Sequence, residues 1–111
     1  MKMTDRAWLA GIVEGEGYIG FNRNHYKKTV YTCPVVEIGM QDKDVIAKAA
    51  KLFGKRVLGP YGPYGMAKRP SFQTQVFASD AIRILQLILP WLGKRRACRA
   101  REVLRWKGSR R

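Results

Sequence analysis

Histidine, cysteine and acidic side chains are all scarce in this chain. There is one histidine, His25, in an expected turn, and two cysteines, Cys33 and Cys98. A single histidine excludes a histidine-based zinc site and gives little support to a Ser-His-Asp arrangement. The cysteines lie far apart in unrelated contexts, which argues against a disulfide or metal framework. They read as buried thiols in a reducing compartment. Long apolar runs are also missing. The longest, Ile82 to Leu92, is broken by Arg83, Gln86 and Pro90 and is too short to span a bilayer. Met1 to Asp5 lacks the apolar region of a signal peptide, so an intracellular location is expected, in cytoplasm, nucleoid or organelle matrix, without secretion. Only eight Asp and Glu stand against 22 Lys and Arg, a formal charge of +14. That imbalance points to a polyanion, most often nucleic acid. An anionic membrane would need an apolar face beside the basic one. The closing segment offers only Ala97, Ala100, Val103, Leu104 and Trp106.

What is present suffices for a packed core. The chain has 111 residues, 46% of them hydrophobic, and reads as one domain over 1–111 with a basic closing helix and tail at 94–111. Thr4 or Asp5 can cap a first helix anchored by Trp8, Leu9, Ile12 and Val13. From Tyr18 to Asn24 the pattern alternates, with Ile19 and Phe21 on one face and Gly20, Asn22 and Asn24 on the other. A turn over Asn24–Thr29 leads to a second strand, Val30 to Met40, whose core face holds Val36, Ile38 and Met40. Asp42 can cap a second helix with core residues Val45, Ala49, Leu52 and Phe53, ended by Gly54. A short strand over Lys55–Leu58 and a turn-rich loop over Gly59–Gly65 follow. Ser71 to Phe77 alternates again. Ser79-Asp80 then caps a third helix carrying Ile82, Leu85, Ile88 and Leu89, and Pro90 and Gly93 separate it from a last basic helix, Lys94 to about Lys107.

One stretch, Leu9-Ala10-Gly11-Ile12-Val13-Glu14-Gly15-Glu16-Gly17, joins the first helix to the first strand. Ala7, Gly11 and Gly15 recur at four-residue steps, a shallow stripe that admits a second helix at close range. Glycine after the acids permits the left-handed stop, which places Glu16 just past the helix end. An ordinary core helix ending in an acidic turn is the plainer alternative. The nine residues resemble the LAGLIDADG signature of homing endonucleases, with glutamate at both acidic positions. Pro90-Trp91-Leu92-Gly93-Lys94-Arg95-Arg96 more weakly resembles the family's segment ahead of its closing helix. With the element order, the resemblance covers nearly the whole chain. It implies an α+β domain of αββαββα order, a saddle-shaped antiparallel four-stranded sheet with helices on one face.

Such a sheet leaves its other face open. Gly20, Asn22, Asn24, Glu37, Gln73 and Gln75 are expected there. Asn and Gln suit bidentate pairing with adenine, and Glu can accept from cytosine. Arg56, Lys68 and Arg69 flank the second hairpin, within reach of phosphates or guanine. Lys94, Arg95, Arg96, Arg99, Arg101, Arg105, Lys107, Arg110 and Arg111 hold nine of the 22 basic residues, a density that reads as phosphate contact.

Cutting DNA by hydrolysis needs a metal, and carboxylates suit Mg²⁺, with Mn²⁺ a possible substitute. One acidic turn is too little for a two-metal site; two turns, joined by pairing the Gly11/Gly15 stripes, suffice. The resemblance implies that Glu16 is the acid delivered to the scissile phosphates and to the metal. Glu14 has a structural role at the helix ends, in an interface shared with Ala7, Ala10, Gly11 and Gly15. A family lysine maps onto Lys94. A family glutamine maps onto Met40, which cannot do its job, or onto Gln41 one residue further. The expected function is a homodimeric, site-specific double-strand DNA endonuclease with a long near-palindromic target, staggered cuts, and a role in intron or intein mobility. The alternative is a DNA-binding regulator without cleavage or an RNA-splicing maturase, with an RNA intron as its partner. Intact Glu14 and Glu16 favour the enzyme, because a binder has no use for acids beside phosphate.

Overall fold

Helix α1 (Met3–Glu16) runs into strand β1 (Gly17–Tyr26) with no residue between them in this computed structural model, which describes residues 1–107. Glycine makes that junction possible. A Cβ at Gly17 would sit 2.8 Å from the Val13 backbone, and the Gly17 N–H donates to the Val13 carbonyl. Gly17 is extended (φ −99°, ψ 167°) and not left-handed, so Glu16 is the last helical residue and not the first beyond the helix.

Strand β2 (Thr29–Met40) pairs with β1 over ten positions, from Gly17–Ile38 to Tyr26–Thr29. The turn is two residues long, with Lys27 at φ 55°, and His25 lies in the strand and not in a turn. Helix α2 (Lys43–Phe53) begins after Asp42, whose carbonyl and not its side chain accepts the first helical N–H groups, and ends at left-handed Gly54 (φ 72°). Strand β3 is Leu58–Tyr61, three residues later than the expected Lys55–Leu58. Strand β4 (Ser71–Phe77) passes straight into helix α3 (Ala78–Ile88), so Phe77 and not Ser79-Asp80 is its cap. Asp80 instead pairs with Lys55 at 3.0 Å. A short 3₁₀ turn, Leu89–Trp91, leads to α4 (Lys94–Leu104).

The four strands form one antiparallel sheet in the order β1-β2-β4-β3. Ile19, Val36, Ile38 and Val76 face the helices and are buried with Leu9, Ala10 and Val13 of α1, Ile84, Leu85 and Ile88 of α3, and Ala100 and Val103 of α4. Thr74 shares this face, and its hydroxyl donates to the Arg56 carbonyl at 3.2 Å. In α2 the buried face is Ile46, Ala49, Ala50 and Phe53, turned by one residue from the expected set. In α3 it is Ala81, Ile84, Leu85 and Ile88, with Ile82 and Leu89 at the margin. Neither cysteine is buried as expected: Cys33 is half-buried and Cys98 is exposed. No helix of the described residues is long and apolar enough to cross a membrane.

Candidate nucleic-acid interface

Opposite the core the sheet is free of helices, and register places its side chains in rows. Tyr18, Glu37 and Gln75 share a row; Gly20, Val35 and Phe77 share the next; Asn22 pairs with Cys33 and Asn24 with Tyr31. Gln73 lies opposite Gly39 and Leu58. The residues expected on this face therefore do lie together. Asn22 Nδ2 donates to Asn24 Oδ1 at 3.1 Å, which presets both amides. Lys68 and Arg69 are exposed just before β4, and the Arg56 side chain is exposed beside it.

Edge strand β1 is covered by α4. The Arg96 guanidinium donates to the Gly17 carbonyl, and Arg99 Nε to the Ile19 carbonyl at 3.2 Å. Arg99 also lies 5.6 Å from the Phe21 ring, and Trp106 Nε1 donates to the Thr32 carbonyl at 3.2 Å. These contacts satisfy backbone groups that an open edge would leave unpaired. They correct two expectations. Arg96 and Arg99 are anchored to this chain's own backbone and are not free to spend their whole fork on phosphate. Arg96 Nε is itself buried without a partner. Arg110 and Arg111 lie outside the described residues.

A groove of about 810 Å³ opens between the start of β1 and α4, walled by Gly17, Tyr18, Lys94, Arg95, Arg96, Cys98, Arg99 and Glu102, the last paired with Arg99 at 3.7 Å. Glu16 stands one residue from it and is exposed. Among the described residues no hydrogen bond or ion pair engages its carboxylate. Glu14 is different. Its Oε1 accepts the Gly93 N–H at 2.8 Å, so it joins the end of α1 to the start of α4 within one chain. Two residues apart on a helix, the acids point in different directions and do different work. Ala10 is also corrected: it is fully buried in the core and cannot form an interface. Gly11 and Gly15 are exposed, with open space where a Cβ would stand, and Ala7 is half-buried.

Gln41 is hydrogen-bonded to Arg69. Its Oε1 accepts from Arg69 Nη2 at 3.3 Å and its Nε2 reaches the Arg69 carbonyl at 3.5 Å. It orders the segment entering β4, a contact that no sequence period reveals.

The fold recurs in solved structures. The homing endonuclease I-CvuI, in complex with its target, matches with a TM-score of 0.74 and 17% identity over 92% of this chain and 64% of its own. The group I intron-encoded homing endonuclease I-CeuI, complexed with DNA, matches with a TM-score of 0.66 and 12% identity over 92% of this chain and 53% of its own. The archaeal intron-encoded homing endonuclease I-Vdi141I, complexed with DNA, matches with a TM-score of 0.65 and 16% identity over 91% and 67%. The chain has the LAGLIDADG homing endonuclease fold. It spans 64% of I-CvuI, 53% of I-CeuI and 67% of I-Vdi141I. No protein-family model and no curated protein matches it in sequence. Within this fold, residues 9–17 supply both the α1–β1 junction at Gly17 and, at Glu16, an exposed acid without a partner among the described residues.

Proposed function

We propose that this chain is a site-specific DNA endonuclease that acts as a homodimer and hydrolyses both strands with a divalent metal, Mg²⁺ by preference and Mn²⁺ as a substitute. The observation that carries this reading is the exposed Glu16 carboxylate, without a partner among the described residues and next in the chain to Gly17, which lines a groove holding four cations against one acid, Glu102. The solved neighbours support it, being homing endonucleases complexed with target or DNA.

Metal chemistry fits a pair of chains better than one. Among the described residues no three His, Cys, Asp or Glu converge. Glu16 is a hard oxygen donor, and Mg²⁺ needs few protein ligands because it keeps several waters. Two such carboxylates meet if α1 packs on its own copy along Ala7, Gly11 and Gly15, where the surface is shallow. A metal held there supplies activated water and neutralises charge on the phosphate. The protein's own residues do the rest. Lys94 and Arg95 draw the backbone toward Glu16 against the repulsion between carboxylate and phosphate. Asn22, Asn24, Glu37, Gln73 and Gln75 hold the register by reading base edges from the major groove. A symmetric pair of acids addresses both strands, giving staggered ends on a near-palindromic site.

The test is incubation with a randomised palindromic duplex library and Mg²⁺, with Glu16→Gln in parallel. Cleavage to cohesive ends by the wild type alone is expected. Binding without cleavage by either protein would make this a DNA-binding regulator or maturase of the same fold. Equal cleavage by both would remove Glu16 from the site.

A further inference from the structure

The open face of the sheet is polar toward both ends and apolar across its middle. Gly20 of β1 pairs with Val35 of β2, and Val35 with Phe77 of β4, so one row crosses three strands. No side chain in that row can donate or accept a hydrogen bond. The rows on either side are Tyr18–Glu37–Gln75 and Asn22–Cys33. Val35 is 4% exposed although it faces away from the core, and Phe77 is 37% exposed. Phe77 belongs neither to the core nor to the apolar residues packed against it. A Cβ at Gly20 would overlap the Tyr18 hydroxyl and the ring carbon that bears it, so Tyr18 (46% exposed) lies over the glycine and ends the apolar row with a hydroxyl at β1, leaving Val35 and Phe77 as its apolar surface.

A phenylalanine kept in water among reading residues forfeits burial energy unless something covers it. On the base edges of the major groove, the apolar feature that distinguishes one base pair from another is the C5-methyl of thymine, and a phenylalanine ring is a suitable contact for it. We infer that Phe77, backed by Val35, selects a thymine methyl at one position of each half-site. This rests on the reading of the open face as the DNA-binding surface. Same-face residues along a strand are spaced by about 6.6 Å. That is on the order of two base-pair steps. The selected thymine thus lies about two pairs from the position met by Glu37 and Gln75, and about two, on the other side, from that met by Asn22.

The experiment starts from duplexes that the wild-type protein selects out of a randomised pool. Each thymine is replaced in turn by deoxyuridine, which removes only the methyl, and affinity is measured by fluorescence anisotropy. One position per half-site is expected to lose about fourfold, the worth of one buried methyl. At that position 5-methylcytosine is expected to bind better than cytosine. Phe77→Ser is expected to abolish the methyl effect there and leave preferences elsewhere unchanged. Phe77 is the cap residue of α3, where serine is favoured, so the variant retains a sound helix start. Phe77→Leu is the second variant and is expected to keep a methyl preference. If no thymine is methyl-sensitive, or if the sensitivity survives Phe77→Ser, the inference is overturned while DNA binding stands. If the wild type retains no duplex at all, the DNA-binding reading falls and this inference with it.

Discussion

Glu14→Ala removes the bond that ties the end of α1 to the start of α4. The carboxylate accepts the Gly93 N–H at 2.8 Å, and Gly93 is the residue that caps α4. A hydrogen bond to a charged group contributes about 1.5–3 kcal/mol. Negative charge at a helix N-terminus adds about 0.3–1 kcal/mol. Glu14 is only half-buried, so the lower ends of both ranges apply, about 2 kcal/mol together. For a chain of this size that corresponds to a fall of about 10 °C in Tm. Glu14→Gln keeps an acceptor and is expected to lose about half as much. Urea unfolding followed by circular dichroism measures both variants. Protein concentration must be held fixed, because pairing of chains would move the midpoint. The m-value is expected to stay constant, since the variants change stability and not the surface exposed on unfolding. Glu16→Gln is the control: with no partner in the chain it should stay within about 0.5 kcal/mol of the wild type. A wild-type midpoint for Glu14→Ala would refute the structural role of this acid. An equal loss for Glu16→Gln would refute the division of labour between the two.

Three further outcomes are expected. Gln41→Ala releases Arg69 and should weaken DNA binding while bound DNA is cut at the wild-type rate; lost turnover with affinity intact would return Gln41 to the catalytic set. Ala78 holds a left-handed φ of 53° between β4 and α3, so Ala78→Gly should raise stability by about 0.5–1 kcal/mol in urea melts, relief of strain exceeding the entropy cost. The Lys55 hydrogen bond, then its charge, hold the Asp80 carboxyl below its ordinary range. With the folded pKa lower than the unfolded one, this small stabilisation is complete above the usual carboxylate range and is lost as pH falls through the folded value; Lys55→Met should flatten that part of the acid limb of a stability–pH profile.

Alternation and spacing were enough to read β1, β2, β4 and the helix order, because both are local; β3, which has no alternation to mark it, begins three residues later than expected. Ile19, Val36, Ile38, Thr74 and Val76 face the core as their period of two requires. Helix faces are less well specified. Val45 and Ile46 are both apolar and about 100° apart on the helix, and packing under the sheet decides for Ile46. The cap at Ser79-Asp80 fails because β4 runs directly into α3 and leaves no loop to place it in. The site shows the same contrast. Nine consecutive residues are enough to single out Glu16 as a candidate, but the anchoring of Arg96 and Arg99 depends on carbonyls of β1 about 80 residues away. Composition marks both arginines as phosphate ligands; only the fold shows that they hold an edge strand. Glu14 was separable in principle, since residues at i and i+2 on a helix do not share a face.

Helix α4 begins against its own electrostatics, and that conflict locates the site better than charge density does. Helix N-termini favour acids, yet α4 opens with Lys94, Arg95 and Arg96 and carries no acid in its first turn. Each such cation costs about 0.3–1 kcal/mol in isolation. Two features of the chain relieve the conflict: Glu14 brings a carboxylate to the Gly93 N–H, and Arg96 turns to the Gly17 carbonyl. Among the described residues Lys94 and Arg95 have no ion-pair partner, and the groove they wall includes Gly17, the residue after Glu16. On the proposed reading, a phosphate bound in the groove answers Lys94 and Arg95 together, beside the helix end that Glu14 already serves. Local rules broken with only part of the cost offset point to functional positions. The break here falls at the groove, and under the proposed function that is where Glu16 and a phosphate are held close despite their repulsion, a task that unpaired cations suit.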